Sequence, residues 1–300
     1  MPTELDYYLV DVFTRSALQG NPLAVVIDTA GLATKRMQAV AREFNLSETT
    51  FVQRRAVEVE EREGIRVRIF TTQEELPFAG HPTLGTSRVL KMLAPEAIHD
   101  NTVTLALKVG AVPVRFEDRT DDASSVFGEM TQRDPQFGVV LDPERVASLT
   151  GLAGADLDPD LPPQTVSTGT AFTIVVVRSL AALARLNVNH AEATPWLRER
   201  GARWFYVLAP TRCEEPVFRA RMQFYGGEDP ATGSAAGCAI SYLVARSAVA
   251  SDQRILVQQG VEIGRSSDLF LTAKSISARV TDVRVGGSTV LVAKGRLFLP

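Results

Sequence analysis

Ile65-Arg66-Val67-Arg68-Ile69-Phe70, followed by Glu75 and then by Gly80-His81-Pro82-Thr83-Leu84-Gly85, carries two patterns that together specify the architecture. Its first part alternates apolar and charged residues, the period-2 pattern of a strand with one buried face. Its last part is a glycine-headed run that predicts a helix reaching about Met92. A shift of 153 residues lays Arg66-Val67-Arg68-Ile69 on Arg219-Ala220-Arg221-Met222, Glu75 on Glu228 and Gly80 on Gly233. A weaker echo, at a shift of 149, sets Gly20-Asn21-Pro22-Leu23-Ala24-Val25-Val26 beside Gly169-Thr170-Ala171-Phe172-Thr173-Ile174-Val175. Such self-similarity indicates one structural unit used twice. The reading is therefore α/β, with two similar halves, each a mixed sheet with a central helix; coincidental strand and helix punctuation is the competing explanation.

Working outward, Tyr7–Phe13 and Leu23–Ile27 are β-rich runs joined through the turn-like Gln19-Gly20-Asn21-Pro22, which predicts paired strands. Met37, Val40, Ala41 and Phe44 recur at helical spacing and predict a helix over Thr34–Phe44. Thr49–Val52 follows as a strand. The polar run Glu117–Ser125 marks a boundary between halves at residues 1–120 and 121–287. The terminal strand pattern over residues 288–300 fits either half, and we assign it to the first.

The chain has 300 residues, 45% hydrophobic and 22% charged, a soluble globular composition with material for two domains. A net charge of −3 provides no basic field, so nucleic acid and anionic lipid are not expected partners. No apolar stretch approaches the ~20 residues of a membrane span. The start, Met1-Pro2-Thr3-Glu4-Leu5-Asp6, is acidic where a secretory signal is basic, and a cytoplasmic location is expected. The two cysteines, Cys213 and Cys238, and three histidines, His81, His99 and His190, show no zinc or redox spacing, so a catalytic metal is not expected.

The two glycine-headed helices are the first candidates for chemistry. A helix N-terminus carries unpaired N–H groups and partial positive charge, and glycine lets an anion approach them. Gly80, Gly233 and Ser234 are thus candidate binding residues for a carboxylate or similar oxyanion, with Ser234 also placed to cap its helix; two ordinary capped helices are the plainer alternative. Neither loop fits a nucleotide-binding glycine motif or a serine nucleophile elbow. Glu48, in Leu46-Ser47-Glu48-Thr49-Thr50-Phe51, is a carboxylate at a strand mouth, suited either to acid–base work or to a solvated turn. Asp229 and Glu228 precede the second glycine helix; Glu228 reads as a capping or turn residue. His81, in the first glycine loop, can donate to a substrate or shuttle protons, or serve as a hydrogen-bonding surface residue. Cys238 reads as core packing, and Cys213 lies in a polar loop without a nearby base.

Taken together, Gln19–Val26, Leu46–Val52, Glu75–Gly85, Gly227–Ala235 and Gln259-Gly260-Val261-Glu262-Ile263-Gly264-Arg265 resemble the signature segments of the phenazine-biosynthesis F (PhzF-like) isomerase family. The segments run in order along nearly the whole chain. The resemblance implies a diaminopimelate-epimerase-like fold, two pseudo-symmetric halves each with a curled mixed sheet around a central helix. It also implies a homodimer and a cofactor-independent proton transfer on a small carboxylate-bearing substrate, as in isomerisation of trans-2,3-dihydro-3-hydroxyanthranilate. By the same resemblance Glu48 is the general acid/base, His81 and Asp229 are catalytic-pocket residues, and Gly80, Gly233 and Ser234 bind substrate. Related racemases carry one cysteine just ahead of each glycine. Here those positions hold Ala79 and Thr232, neither of which exchanges a proton as a thiol does. The chain departs from the family pattern at Thr71-Thr72, at Thr131-Gln132-Arg133-Asp134-Pro135 and at Arg265-Ser266-Ser267, loops that shape a pocket. The leading expectation is an isomerase using Glu48; the alternative is a non-catalytic protein that binds an anthranilate-like carboxylate.

Overall fold

A computed structural model describes residues 3–117, 125–211, 217–224 and 227–299. In chain order the elements are β1 (Thr3–Val12), β2 (Asn21–Val26), α1 (Thr34–Phe44), β3 (Glu48–Gln53), α2 (Val57–Glu63), β4 (Ile65–Phe70), β5 (Glu75–Leu76), α3 (Gly80–Leu93), β6 (Thr102–Leu107), β7 (Gly110–Phe116) and β8 (Ser125–Thr131). They continue as β9 (Gln136–Val140), α4 (Pro143–Thr150), β10 (Gln164–Ser167), β11 (Ala171–Val176), α5 (Leu180–Ala184), α6 (His190–Glu199), β12 (Trp204–Pro210) and β13 (Val217–Arg221). The last are β14 (Gln223–Phe224), β15 (Gly227–Glu228), α7 (Gly233–Ala245), β16 (Ile255–Gln259), β17 (Ser267–Ile276) and β18 (Arg279–Leu299).

The chain divides into two compact units, Met1–Thr131 with Gly286–Pro300, and Gln132–Val285. The polar run expected to hold the boundary falls mostly on residues 118–124, outside the described residues. Beyond it β8 still pairs with β7, Val114 facing Met130, which keeps residues 125–131 in the first unit.

In the first unit the strands run β1-β2-β3-β4-β6-β7-β8-β18, and β18 pairs back onto β1 from Thr3↔Leu299 to Val12↔Thr289. Eight strands therefore close into a barrel-like sheet without a free edge. α3 packs against β1, β2, β3, β6, β7 and β8 and is buried from Gly80 through Ser87. This explains its composition. A helix enclosed by sheet needs apolar or small residues all round, not an amphipathic stripe. α1 is the contrasting case: it buries only Met37, Val40 and Ala41 and ends at Asn45, whose left-handed conformation (φ 50°) turns the chain into β3.

The second unit has the order β9-β10-β11-β12-β13-β16-β17-β18, with α7 buried from Gly233 to Val244 and packed on β10, β11 and β17. Its pairings repeat those of the first unit. β1/β2 and β10/β11 are antiparallel, β2/β3 and β11/β12 parallel, β3/β4 and β12/β13 antiparallel. β4/β6 and β13/β16 are again parallel, β6/β7 and β16/β17 antiparallel. The repeated sequence thus corresponds to a repeated topology, a curled mixed sheet around one helix.

The same repeat carries a side-chain interaction. Arg68 Nε and Nη2 donate to the two carboxylate oxygens of Glu75 at 2.8 Å each, and Arg221 donates in the same way to Glu228 at 2.9 and 2.6 Å. Glu228 is therefore an ion-pair partner rather than a helix cap. Two parallel N–H···O bonds fix the geometry as well as the attraction, and each pair fastens the loop that leads to a glycine-headed helix. The pairs differ in what remains if the arginine is lost. Glu75 also holds Lys108 at 2.9 Å, whereas the Glu228 side chain is 7% exposed with Arg221 as its cation. Removing one partner of a buried pair costs about 3 kcal/mol or more. Urea unfolding is expected to show Arg221→Gln destabilised by about that amount and Arg68→Gln by clearly less; equal losses would refute the difference.

Candidate active site

The first unit assembles three of the expected residues. The parallel pairing of β2 and β3 sets Glu48 opposite Leu23 at the mouth of the sheet. Thr50, two residues on, meets Thr86 of α3 hydroxyl to hydroxyl at 2.8 Å, tying the strand to the helix. Gly80 and His81 form the start of α3, and His81 is 3% exposed. Its ring nitrogen Nδ1 lies 3.2 Å from the side-chain nitrogen of the fully buried Asn21, and its Nε2 lies 3.5 Å from Glu48 Oε2.

Protonation follows from these neighbours. Burial pushes the His81 imidazole down to about 3, so the ring is neutral at physiological pH and its proximity to Glu48 is not an ion pair. An Asn21 amide N–H pointing at Nδ1 requires that atom to be the acceptor, which assigns the single proton to Nε2. Among the described residues that buried N–H makes no hydrogen bond, not even to Glu48 at 3.5 Å. Leaving a buried donor unsatisfied costs about 1–3 kcal/mol, a cost that an oxygen or nitrogen of a ligand removes.

The second unit holds Asp229, Gly233 and Ser234. Asp229 is 5% exposed and accepts the Thr232 hydroxyl at 2.7 Å. Gln259 braces the same turn. Its amide nitrogen donates to Asp229 O at 2.8 Å and to Thr232 Oγ1 at 2.9 Å, while its oxygen accepts from Thr232 N and from the Tyr206 hydroxyl at 3.0 and 3.1 Å. Gln132 performs the corresponding task one residue later, donating to Gly233 O at 2.9 Å and accepting from Thr168 at 2.6 Å. Ser234 is buried but is not the cap: the capping position is Thr232, and no side chain caps α7. α4, α5 and α6 of the same unit are capped by Asp142, Ser179 and Asn189. α3 likewise starts, at Ala79, without a side-chain cap. Both glycine-headed helices therefore keep first-turn N–H groups that no capping side chain occupies.

Each of the other singled-out residues lies apart from this chemistry. Cys238 is fully buried in α7 near Thr168 and Thr170, and burial pushes its thiol up to about 11, which leaves it inert. Cys213 lies outside the described residues. His99 pairs with Thr102 through the backbone, and His190 starts α6. Among the described residues no group of three or more metal-type side chains forms, and no helix is long and apolar enough to cross a membrane. Asn21, Gln132, Tyr206 and Gln259 carry the support of the site without having stood out as candidates. Asn21 and Gln259 had a signal as members of the quoted segments and Gln132 as part of the departing loop Thr131–Pro135, whereas Tyr206 had none.

Against known proteins, the family model for "Phenazine biosynthesis-like protein" (PhzC-PhzF) matches residues 10–295. A trans-2,3-dihydro-3-hydroxyanthranilate isomerase of Pseudomonas aeruginosa is 35% identical, the match covering 98% of this chain and 99% of that protein. A PhzF-family phenazine biosynthesis protein of Bacillus anthracis superposes with a TM-score of 0.83 at 27% identity, over 98% of this chain and 99% of that one. A hydroxyproline epimerase of Agrobacterium vitis, at 11% identity, shares the fold with a TM-score of 0.63 over 99% of this chain and 93% of that one. The expected epimerase-like fold is the observed one.

Two outcomes follow from the site. A depressed His81 pKa means that the unfolded chain binds a proton the folded chain refuses. Stability is therefore held above pH 6.5 and lost as pH falls toward 3. Between pH 7 and 5 the loss amounts to about 2 kcal/mol, and His81→Asn removes that part of the slope in urea titrations; an unchanged slope would count against the neutral imidazole. A Cβ on Gly237 collides with the Gln132 amide, so Gly237→Ala is expected to displace Gln132 from Gly233 and weaken ligand affinity more than it lowers the melting temperature.

Proposed function

We propose, from the premise that this chain belongs to the phenazine biosynthesis-like (PhzC-PhzF) family and is an isomerase, that it moves a proton on a small carboxylate-bearing substrate with Glu48 as general acid/base. The observation that carries the reading is a Glu48 carboxylate oxygen 3.5 Å from Nε2 of a buried, neutral imidazole, with no hydrogen bond formed between the two. In this reading Glu48, as carboxylate, takes a proton from substrate carbon. The electron pair of the broken C–H bond enters the adjoining unsaturated system, and the resulting carboxylic acid returns the proton at another carbon.

His81 Nε2–H donates to a substrate heteroatom and, being neutral, does not compete with Glu48 as an acid. Asp229, held by Thr232 and its backbone by Gln259, accepts from a substrate amine or hydroxyl. Gly80, Gly233 and Ser234, at the two uncapped helix starts, bind the carboxylate. No metal or organic cofactor enters this scheme, since proton removal and return need only the carboxyl. Ala79 and Thr232 supply no thiol for a two-cysteine route.

Glu48→Gln keeps the shape and removes the transferable proton. With trans-2,3-dihydro-3-hydroxyanthranilate, or the substrate found by metabolite screening, kcat is expected to fall by about 10²–10⁴-fold or more while ligand Kd changes little. Turnover in D2O is expected to leave deuterium at the reprotonated carbon. A Glu48→Gln enzyme with wild-type kcat would sink the assignment.

A further inference from the structure

Four buried side chains of the second unit form one line of hydrogen bonds. Tyr206 comes from β12, Gln259 from the end of β16, and Asp229 and Thr232 from the turn that leads into α7. Tyr206 and Gln259 are fully buried, and Asp229 and Thr232 nearly so. The Tyr206 hydroxyl lies 3.1 Å from Gln259 Oε1, Gln259 Nε2 lies 2.9 Å from Thr232 Oγ1, and Thr232 Oγ1 lies 2.7 Å from Asp229 Oδ2.

One backbone group sets the direction of every bond in this line. Thr232 N–H can only donate, and it meets one end of the Gln259 amide at 3.0 Å, which makes that end the oxygen. The other end is therefore the NH2 group, whose two hydrogens go to Asp229 O and to Thr232 Oγ1. Because Thr232 Oγ1 accepts there, it directs its own proton at Asp229 Oδ2. At the far end the Gln259 oxygen leaves Tyr206 as donor. Burial and the charge of Asp229 raise the Tyr206 pKa well above its ordinary value, so the hydroxyl keeps its proton. Each donor thus faces along the line toward Asp229. A proton on Oδ2 would set two O–H groups against each other and leave the buried Thr232 hydroxyl without an acceptor. Successive bonds of such a line polarise one another, so the Tyr206 hydroxyl strengthens a contact in which it takes no part.

We infer that Tyr206 is a positioning residue which, acting through Gln259 and Thr232, fixes Asp229 Oδ2 as an unprotonated acceptor and holds the carboxylate in one orientation. The inference rests on the reading of Asp229 as the group that accepts from a substrate amine or hydroxyl, and adds what keeps it in that form.

Tyr242 supplies the control, since its hydroxyl donates to Pro162 O at 2.7 Å in the same unit but outside the line. Carbon-13 spectra of the ligand-free full chain, labelled at the aspartate side-chain carboxyl and recorded at pH 7, test the inference, with Asp229→Asn assigning the signal. Tyr206→Phe is expected to displace the Asp229 resonance and Thr232→Val to displace it further, while Thr232→Ser, which keeps the hydroxyl, restores the wild-type position. Tyr242→Phe is expected to leave the resonance in place, although each tyrosine variant loses one hydrogen bond. A resonance unmoved in Tyr206→Phe, or moved as far by Tyr242→Phe, would overturn the inference. These spectra involve no turnover, so that result leaves the isomerase reading intact. A fully active Glu48→Gln enzyme would instead overturn that reading while the line to Asp229 stood.

Discussion

His81 sits at the start of α3 with 3% of its surface exposed, and its surroundings must keep the ring uncharged yet oriented. Burial supplies the first requirement, since it opposes the charged form strongly enough to hold the pKa near 3. Asn21 supplies the second by occupying Nδ1, which leaves the proton on the nitrogen that looks toward Glu48. Most of the first unit serves this arrangement. The closed sheet encloses α3, the Thr50–Thr86 contact holds helix and strand together, and the parallel β2/β3 pairing places both Asn21 and Glu48 at the same mouth.

The second unit applies the same backbone plan to different chemistry. Its Arg221–Glu228 pair repeats Arg68–Glu75, and its α7 repeats α3, but Ser234 stands where the first unit has His81. One unit brings Glu48 and His81 together, and the other holds Asp229 against Thr232. Duplication preserved the parts that fix loop geometry, the ion pairs and the glycine at each helix start. The side chain after each of those glycines, His81 in one unit and Ser234 in the other, differs.

Much of this architecture was legible in the chain because it is written in local patterns. The alternation of Ile65–Phe70, the helical spacing of Met37, Val40 and Ala41, and the coincidence of arginine, glutamate and glycine at one shift are properties of short segments. The observed β4, α1, α3 and α7 follow them closely. What the sequence hid depends on contacts between distant residues. Gln132 reaches Gly233 across 101 positions, Tyr206 reaches Gln259 across 53, and Asn21 reaches His81 across 60. Glu228 read as a turn residue because its partner, Arg221, lies on the other arm of a hairpin. Glu48 and Asp229 were candidates from their own surroundings, with a solvated turn and a helix cap as the plainer readings, and only the family resemblance favoured the chemical roles.

Much of the chemistry of the first unit turns on the protonation state of one ring, that of His81. Long-range ¹H–¹⁵N correlation spectra of the histidines, titrated from pH 8 to pH 5 with His81→Asn to assign the signal, read it directly. The structure predicts a His81 resonance pair with Nε2 protonated and Nδ1 unprotonated, unchanged across that range. An imidazolium appearing near pH 6, or a ring protonated at Nδ1, would contradict it.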